Sequence, residues 1–347
     1  MTAAGNKRTP IARFGKFGLI EHLVKDISPS NKSTVSVIGD DAAMVDYGGK
    51  LTLISTDLLL EGIHFNLVYT PLKHLGYKAV IRAISDIYAM NGTPGQILVA
   101  IGISKRFDVG QIDEIYEGIR LACNKYKVDL AGGDISSSLT GLAISVTGIG
   151  NADNREVVRR SGGRPNDLIF VTGNLGASYM GLQILERERR LFDKDNKFRP
   201  DLSGYEYIIE RQLKPEFPAG ICNQIRECKI LPSAMIDVSD GLVSDLLQIC
   251  DKSGTGCRIF YERMPVDTET VKAAQEFGMD PMIPALNGGE DFELLFTVPI
   301  EEHQKIREIS GATLIGHLTE AAQGRFMITG EGNEVELRAQ GWETADE

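Results

Sequence analysis

Short apolar runs that end in a carboxylate recur along this sequence, each with glycine or serine beside the acid. There are six such segments, at residues 37–41, 53–57, 84–86, 130–134, 235–241 and 288–291. An apolar strand that stops in this way places oxygens that only accept hydrogen bonds at the edge of a sheet. Magnesium in proteins prefers a few carboxylates together with the phosphates of a substrate. The pattern therefore predicts an enzyme that handles a nucleotide polyphosphate through several metal ions.

Taken singly, these segments also have ordinary structural explanations. Residues 39–41 suit a tight turn, because glycine and aspartate dominate turns, and residues 55–57 suit a helix cap. Asp86 differs, because it lies on an otherwise apolar helix face, where an unpaired carboxylate is costly to bury. A metal ion, or an arginine such as Arg82, must therefore compensate Asp86.

Two of the segments, 132–136 and 237–241, have one form: a strand, then a carboxylate, a hydroxyl and a turn or helix start. Backbone N–H groups at glycine turns and helix N-termini bind anions. Carboxylates beside them would repel phosphate unless cations intervene, so the combination suits a metal-bound nucleotide. The P-loop pattern GxxxxGK[ST] and the HRD and DFG pattern of protein kinases are both absent from the sequence.

The overall composition narrows the class of protein. The chain has 347 residues, enough for two domains, and a formal net charge of -11, which argues against nucleic acid as a partner. No apolar run approaches the roughly 20 residues of a membrane helix, and residues 1–10 are polar, unlike a secretion signal. The five cysteines form no CxxC pair, which favours reduced core thiols and a cytoplasmic location.

Apolar periodicity predicts helices and strands in two series that meet near residues 150–166. The first series has predicted helices at 17–27, 72–88 and 112–126, and strands at 35–38, 51–56, 97–103, 128–131 and 142–149. The second has strands at 168–172, 234–238, 257–261 and 293–298, and helices at 179–188, 218–227, 242–252 and 268–277. The charged stretch 187–206 is predicted as a surface excursion. We therefore expect an α/β (α+β) fold in two halves.

In order, and over nearly the whole chain, these segments resemble the thiamine-monophosphate kinase family. The resemblance is carried by residues 17–20, 37–41, 55–57, 61–65, 85–87, 132–134, 236–242, 288–291 and 341–342. The wider superfamily is typified by aminoimidazole ribonucleotide synthetase. Two features depart from the usual pattern: Lys214 precedes Pro215 where arginine is usual, and the 187–206 stretch is long. Lysine meets phosphate as a point charge rather than as a bidentate donor.

The resemblance implies ATP-dependent phosphorylation of thiamine monophosphate to thiamine diphosphate, with several Mg²⁺ ions and no membrane partner. It implies an N-terminal metal-binding, ATP-binding and dimerisation domain at 1–155, a C-terminal α/β domain at 156–347, and a homodimer. It assigns metal roles to Asp41, Ser55, Thr56, Asp57, Asp86, Asp134, Asp237 and Asp240. It places ATP near Tyr116, Gly133, Asp134, Arg160 and Ser239, and the thiamine substrate near His64, Glu290 and Trp342.

The substrate residues have their own chemistry. Trp342, the single tryptophan, is either a surface cap on the core or a flat platform for a cationic ring. Glu290 suits a thiazolium charge or a pyrimidine amine. His64 is either a packing residue or a substrate contact.

Two rival functions stay open at the level of sequence. One is another ATP-dependent reaction of the same superfamily, and the other is non-catalytic binding of a nucleotide or cation. No activated protein nucleophile is evident, so a kinase of this sequence is expected to transfer phosphate directly, without a catalytic side chain acting as base.

Overall fold

The computed structural model of the protein describes residues 14–27, 29–35, 38–195 and 199–339. The first half is a five-stranded sheet with two long helices on one face. Its elements are α1 (Gly15–Val24), β1 (Ala43–Val45), β2 (Leu51–Leu60), α2 (Leu72–Ala89), β3 (Thr93–Ile103), α3 (Val109–Tyr126), β4 (Asp129–Ser137) and β5 (Ala143–Ala152). The strand order is β1-β2-β5-β3-β4, and only the β3–β4 pair is parallel.

The two long helices follow from the sequence. Helix α2 starts after Pro71, because proline has a helix-compatible φ and lacks only an N–H that the first turn leaves unpaired. Its apolar residues recur at a spacing of three and four, and 13 of its 18 residues are buried. Helix α3 starts at Asp108, whose side chain and that of Gln111 form a capping box.

The helices α2 and α3 cross at two glycines. A Cβ atom on Gly76 would lie 1.9 Å from the Ile115 carbonyl oxygen, and one on Gly118 would lie 1.8 Å from the Lys73 carbonyl oxygen. Both obstacles are backbone atoms, so the helices could accept a side chain there only by separating. The glycines therefore set the position of α2, which carries Arg82 and Asp86.

Gly118→Ala is expected to destabilise the protein by about 1–3 kcal/mol, the usual cost of overpacking a close contact. Urea unfolding monitored by circular dichroism measures this change. Gly220→Ala is the matched control, because Gly220 lies in a helix with no atom within 4 Å of an added Cβ. Alanine there should be neutral or stabilising by up to about 1 kcal/mol; equal effects of the two substitutions would contradict the packing argument.

The second half is a seven-stranded sheet in the order β12-β11-β8-β10-β6-β9-β7, with helices packed against it. Its strands are β6 (Leu168–Thr172), β7 (Ala234–Val238), β8 (Thr255–Phe260), β9 (Glu293–Val298), β10 (Ala312–Glu320), β11 (Arg325–Ile328) and β12 (Glu334–Glu336). Its helices are α4 (Ala177–Lys194), α5 (Glu206–Leu213), α6 (Ala219–Glu227), α7 (Leu242–Ser253), α8 (Thr268–Glu276), α9 (Met282–Asn287) and α10 (His303–Ile306).

The two halves share one hydrophobic cluster. It contains apolar residues of α2, among them Ile81 and Ile84, together with Met235 of β7 and Leu294 and Phe296 of β9. Arg226 of α6 adds hydrogen bonds to the Asn91 side chain and to the Gly92 carbonyl oxygen at the end of α2. Helix α2 therefore lies between the first sheet and the second half of the chain.

The expected α/β fold in two halves is confirmed, with three local corrections. Residues 132–134 lie inside β4 and residues 55–57 lie inside β2, whereas both had been expected at strand ends; the pairing of each strand with its neighbour continues past the polar residues. Much of the predicted excursion at 187–206 is the last part of α4, since amphipathic spacing continues to Lys194. The strand predicted at 35–38 lies partly outside the described residues, as does the polar tail 1–10. No helix in the described ranges is long and apolar enough to cross a membrane.

Candidate active site

Three aspartates from separate elements meet where the two halves touch. Asp41 precedes β1, Asp86 lies on α2 and Asp237 lies near the end of β7, and one carboxylate oxygen of each lies within 4.8 Å of the others. We call these three the carboxylate cluster. Two of the carboxylates come from the first half and one from the second.

Each member of the cluster is held by a hydrogen-bond donor. Arg160 donates from Nη2 and Nε to Asp41, at 2.8 and 3.2 Å. The Ser55 hydroxyl donates to Asp86, and the Ser85 hydroxyl donates to Asp237 at 2.7 Å. These donors fix the orientation of the oxygens but supply only one full positive charge, that of Arg160.

The electrostatics of the cluster leave negative charge uncompensated. Burial, together with the charges of Asp57, Asp237 and Asp41, raises the pKa of Asp86 well above its ordinary value. Burial and the Asp41 charge raise the pKa of Asp237 to about 7. Asp57 contributes a buried Oδ2 that has no hydrogen-bond partner among the described residues. Closely spaced carboxylates with an orphaned oxygen beside them fit a hard divalent cation.

A divalent cation added alone is therefore expected to stabilise the protein, by about 2.7 kcal/mol at 100 times its dissociation constant. Without the cation, the raised pKa values make the fold lose stability as the pH rises through 7, because the charged forms are disfavoured. The increase in melting temperature on adding Mg²⁺ should thus be larger at pH 8 than at pH 6, where protons compete. Thermal unfolding with Mg²⁺ or with chelator measures it.

Asp237→Asn should lose most of that increase, while Asp113→Asn, an exposed residue on α3, should keep it. An equal increase in both variants would mean that the cation binds elsewhere.

A second group of charges adjoins the cluster, on the side of Asp57. Arg82 donates from Nε to Asp57 Oδ1 at 3.3 Å and from Nη1 to Glu290 Oε1 at 3.0 Å. Lys78 donates to the other oxygen of Glu290 at 2.6 Å and to the Gln212 carbonyl oxygen at 2.9 Å. Burial alone would raise the pKa of Glu290, but the charges of Lys78 and Arg82 hold it below its ordinary value. Glu290 is thus a fixed, ionised carboxylate.

The turn after β7 supplies further polar groups. The backbone N–H groups of Ser239 and Asp240 donate to Asp245 Oδ2 at 3.1 and 3.2 Å. Asp245 lies in the first turn of α7 and is almost fully buried, and burial with the Asp240 charge raises its pKa well above the ordinary value. Lys16 of α1 forms an ion pair with Asp240 across the opening.

Two cavities adjoin these groups. The acidic cavity, about 290 Å³, is lined by the carboxylate cluster, Arg160 and residues of α1 and α7. The His64 cavity, about 690 Å³, is lined by His64, Tyr69, Tyr179 and Glu290 among others. The two cavities have six lining residues in common, which we call the shared wall: Lys16, Thr56, Asp57, Arg82, Ser239 and Asp240. A bound molecule in one cavity would therefore lie next to a bound molecule in the other.

Comparison of the chain with known proteins identifies its family. Residues 39–152 match the family model of the AIR synthase related protein N-terminal domain, and residues 164–329 match that of the C-terminal domain. The thiamine-monophosphate kinase of Aquifex aeolicus (strain VF5) is 33% identical over 332 residues, which span 96% of this chain and 98% of that protein. That of Bacillus subtilis (strain 168) is also 33% identical, over 92% and 97% of the two chains.

The chain belongs to the thiamine-monophosphate kinase family. A solved structure described as "AaThiL complexed with AMPPCP and TMP" matches with a TM-score of 0.81 at 32% identity, over 97% of this chain and 99% of that one. The resemblance predicted from the sequence segments is thereby confirmed. The fold of the chain is that of the family.

Most of the residues predicted from the family resemblance lie together in the structure. Asp41, Ser55, Thr56, Asp57, Asp86, Arg160, Asp237, Ser239 and Asp240 all line the acidic cavity, and His64 and Glu290 line the His64 cavity. His64 accepts a hydrogen bond at Nδ1 from the Leu60 backbone N–H at 3.0 Å. Burial and the Arg82 charge lower its pKa, so His64 is neutral near pH 7.

Three predicted residues lie apart from the cavities within one chain. Gly133 and Asp134 are exposed on β4, three strands from β2 in the sheet, or about 14 Å at the usual strand spacing. Tyr116 of α3 packs against the hydrophobic cluster of α2. Trp342 lies outside the described residues.

Sequence reasoning missed three charged residues of the site, Lys16, Lys78 and Asp245. It named Arg82 as a possible partner of Asp86, but Arg82 donates instead to Asp57 and Glu290. The one available signal was periodicity: Lys78 and Arg82 fall on apolar turns of α2, where a cation requires a partner.

Proposed function

We propose that the protein phosphorylates thiamine monophosphate to thiamine diphosphate with ATP as the donor. The observation that carries the proposal is the shared wall, which joins an acidic cavity suited to a metal-bound polyphosphate to a larger cavity with a fixed carboxylate. Membership of the family supports it, as does the similar solved structure with AMPPCP and TMP. ATP would bind at the acidic cavity and thiamine monophosphate at the His64 cavity.

The roles of the residues follow from their chemistry. Asp41, Asp86 and Asp237, with Ser55, Thr56, Asp57 and Asp240 near them, would hold several Mg²⁺ ions, which when bound neutralise phosphate charge. Arg160 and Ser239, which line the acidic cavity, would lie near the bound nucleotide. Glu290 would face the thiazolium ring or the pyrimidine amine, and Trp342 would be a platform for the ring.

The reaction needs no protein base, because a phosphate monoester is already ionised near pH 7. An oxygen of that phosphate attacks the γ-phosphorus of ATP. The new P–O bond forms as the bond to the β–γ bridging oxygen breaks, and the electron pair of that bond stays on ADP. Phosphate charge is equal on both sides, so no proton has to move. The chain's role is to hold the two oxygens in line.

A homodimer would complete the nucleotide site. All nine residues of β4 are exposed, on both faces of the strand, which is unusual for a strand in a sheet this large. Asp134 and Gly133 would then act from the partner chain, with Tyr116 behind them. We also propose the division into domains at 1–155 and 156–347, which falls between β5 and β6.

The test is a direct assay of thiamine diphosphate formed from ATP and thiamine monophosphate. Formation of ADP that depends on thiamine monophosphate would support the kinase, and ADP formation with another superfamily substrate alone would contradict it. Binding of ATP without any turnover would favour the non-catalytic rival. Initial rates should give a sequential pattern, and ATP with a chiral γ-phosphate should give inversion at phosphorus. Retention, or phosphate bound covalently to the protein, would contradict direct transfer.

A further inference from the structure

If the protein has the function proposed above, the shared wall is the place where the phosphoryl group passes from one substrate to the other. A phosphoryl group that passes from a molecule in the acidic cavity to one in the His64 cavity must cross the six residues common to both. Four of the six carry side-chain oxygens, which would repel the phosphoryl group or serve only as ligands: Thr56, Asp57, Ser239 and Asp240. The cations among them are therefore the groups that decide how the transferred charge is stabilised.

Only two residues of the shared wall carry positive charge, Arg82 and Lys16. The side chain of Arg82 is 17% exposed and is held from two directions, by Asp57 and by Glu290. These bonds use Nε and Nη1. Among the described residues, Nη2 is left without a hydrogen-bond partner. A planar guanidinium held rigidly with one terminal nitrogen free at the boundary of two cavities is a preorganised donor.

We propose that Arg82 is a catalytic residue that donates from Nη2 to an equatorial oxygen of the phosphoryl group during transfer. Charge spreads over those oxygens in the transition state, and an arginine that contacts them accelerates phosphoryl transfer strongly in GTPases. Its bond to Glu290 also ties the position of the donor to the wall of the acceptor cavity.

Lys16 is the second cation of the wall, in a weaker position. Its side chain is 44% exposed, and its one ion pair in the described part of the chain is with Asp240. A cation that binds Asp240 would release the ammonium group toward the phosphates. Because water screens an exposed charge, the contribution of Lys16 is smaller than that of Arg82.

Lys78 provides a matched control for the role of Arg82. Both residues lie on α2 and donate to Glu290, one to each oxygen. Lys78, however, lines neither cavity and is 3% exposed. Its loss would loosen Glu290 without removing a cation from the shared wall, so the two substitutions separate a catalytic effect from a positioning effect.

The experiment compares Arg82→Gln, Lys78→Gln and Lys16→Gln in the full-length protein. For each we would measure kcat, the KM of each substrate, and the affinity for ADP with aluminium fluoride in the presence of thiamine monophosphate, a mimic of the transition state. Arg82→Gln is expected to lower kcat by about 10³-fold, within the range known for arginines in phosphoryl transfer. Affinity for the mimic should fall by a similar factor, and affinity for ADP alone should not change.

The other variants give the contrast. Lys78→Gln should raise the KM of thiamine monophosphate, with a much smaller change in kcat and in affinity for the mimic. Lys16→Gln should lower kcat by about 10-fold, an effect that salt weakens. Added guanidinium ion should restore part of the lost kcat of Arg82→Gln, whereas it should not raise the kcat of Lys78→Gln.

Several results would overturn the inference. Equal losses of kcat in Arg82→Gln and Lys78→Gln would make Arg82 a positioning residue only. The same conclusion would follow if Arg82→Gln lost as much affinity for ADP alone as for the mimic. If Arg82→Gln does not fold, Arg82→Lys is the substitute, because lysine keeps the positive charge but lacks the planar guanidinium with its several donors. Wild-type kcat in Arg82→Lys would also contradict the proposal. Failure of the wild-type protein to make thiamine diphosphate would instead refute the proposed function.

Discussion

Asp86→Asn is expected to lower turnover by about 10²-fold or more, with the fold intact. The substitution keeps the size of the side chain but removes a charge from the carboxylate cluster, so metal and phosphate lose electrostatic stabilisation where the site depends on it. In chelator the variant should be at least as stable as the wild type, because burial and the neighbouring carboxylates disfavour the charged form of Asp86. Steady-state rates over a range of Mg²⁺ concentrations, together with thermal unfolding, measure both effects.

Asp57→Asn should likewise lower turnover, and Asp113→Asn on the exposed face of α3 is the control that should retain wild-type turnover. Wild-type activity of Asp86→Asn at limiting Mg²⁺ would remove the cluster from the proposed metal site. A variant that loses both activity and stability in chelator would show that Asp86 is structural.

Arg211→Met is expected to destabilise the protein by about 3–5 kcal/mol, the usual cost of leaving a buried charge without its partner. Arg211 of α5 donates to the Asp291 carbonyl oxygen at 2.8 Å and lies 2.9 Å from Glu293 Oε1. Burial already raises the pKa of Asp291 to about 7 and raises that of Glu293. Without Arg211 both pKa values should rise further. Each carboxyl then stays protonated in the folded protein to a higher pH, so the free energy of unfolding keeps falling over that range.

The deficit of Arg211→Met should therefore grow as the pH rises through 7 and shrink toward pH 5, where the carboxyls are protonated more easily in the fold. Urea unfolding at pH 5.5 and at pH 8 measures the difference. Arg338→Met is the control: its ion pair with Glu336 is exposed, so the change should stay within about 0.5 kcal/mol. A deficit that does not depend on pH would point to lost packing rather than lost charge.

The features of the fold that depend on neighbouring residues were predicted from the sequence. The apolar spacing of α2 predicted both the helix and the exceptional position of Asp86, because burial leaves a periodic signature that one carboxylate interrupts. The turn after β7 was equally clear, since Asp237 and Asp240 flank a strand end beside Gly241. Such features depend on a few neighbouring residues, which are what a single sequence contains.

The features that the sequence did not reveal depend on distant partners. Gly132 and Gly133 look like a turn locally, but β4 continues through them because β3 pairs alongside and Gly133 permits a close approach to Val99. Arg82 meets Glu290, which is 208 positions away along the chain. Asp245 differs from an ordinary helix-start acid only in being buried beneath the preceding turn. Tertiary contact, not local preference, decides all of these.

The place of α2 between the two halves has a consequence for how the protein is synthesised. Its apolar face packs with Leu294 and Phe296 of β9, which leave the ribosome long after α2 itself. At about 5–20 residues per second, that interval is on the order of 10–40 s. During this time the apolar face of α2 that later packs against β9 is exposed, because β9 has not yet been synthesised. A chaperone that shields nascent chains should therefore raise the yield of this protein more than its modest size suggests.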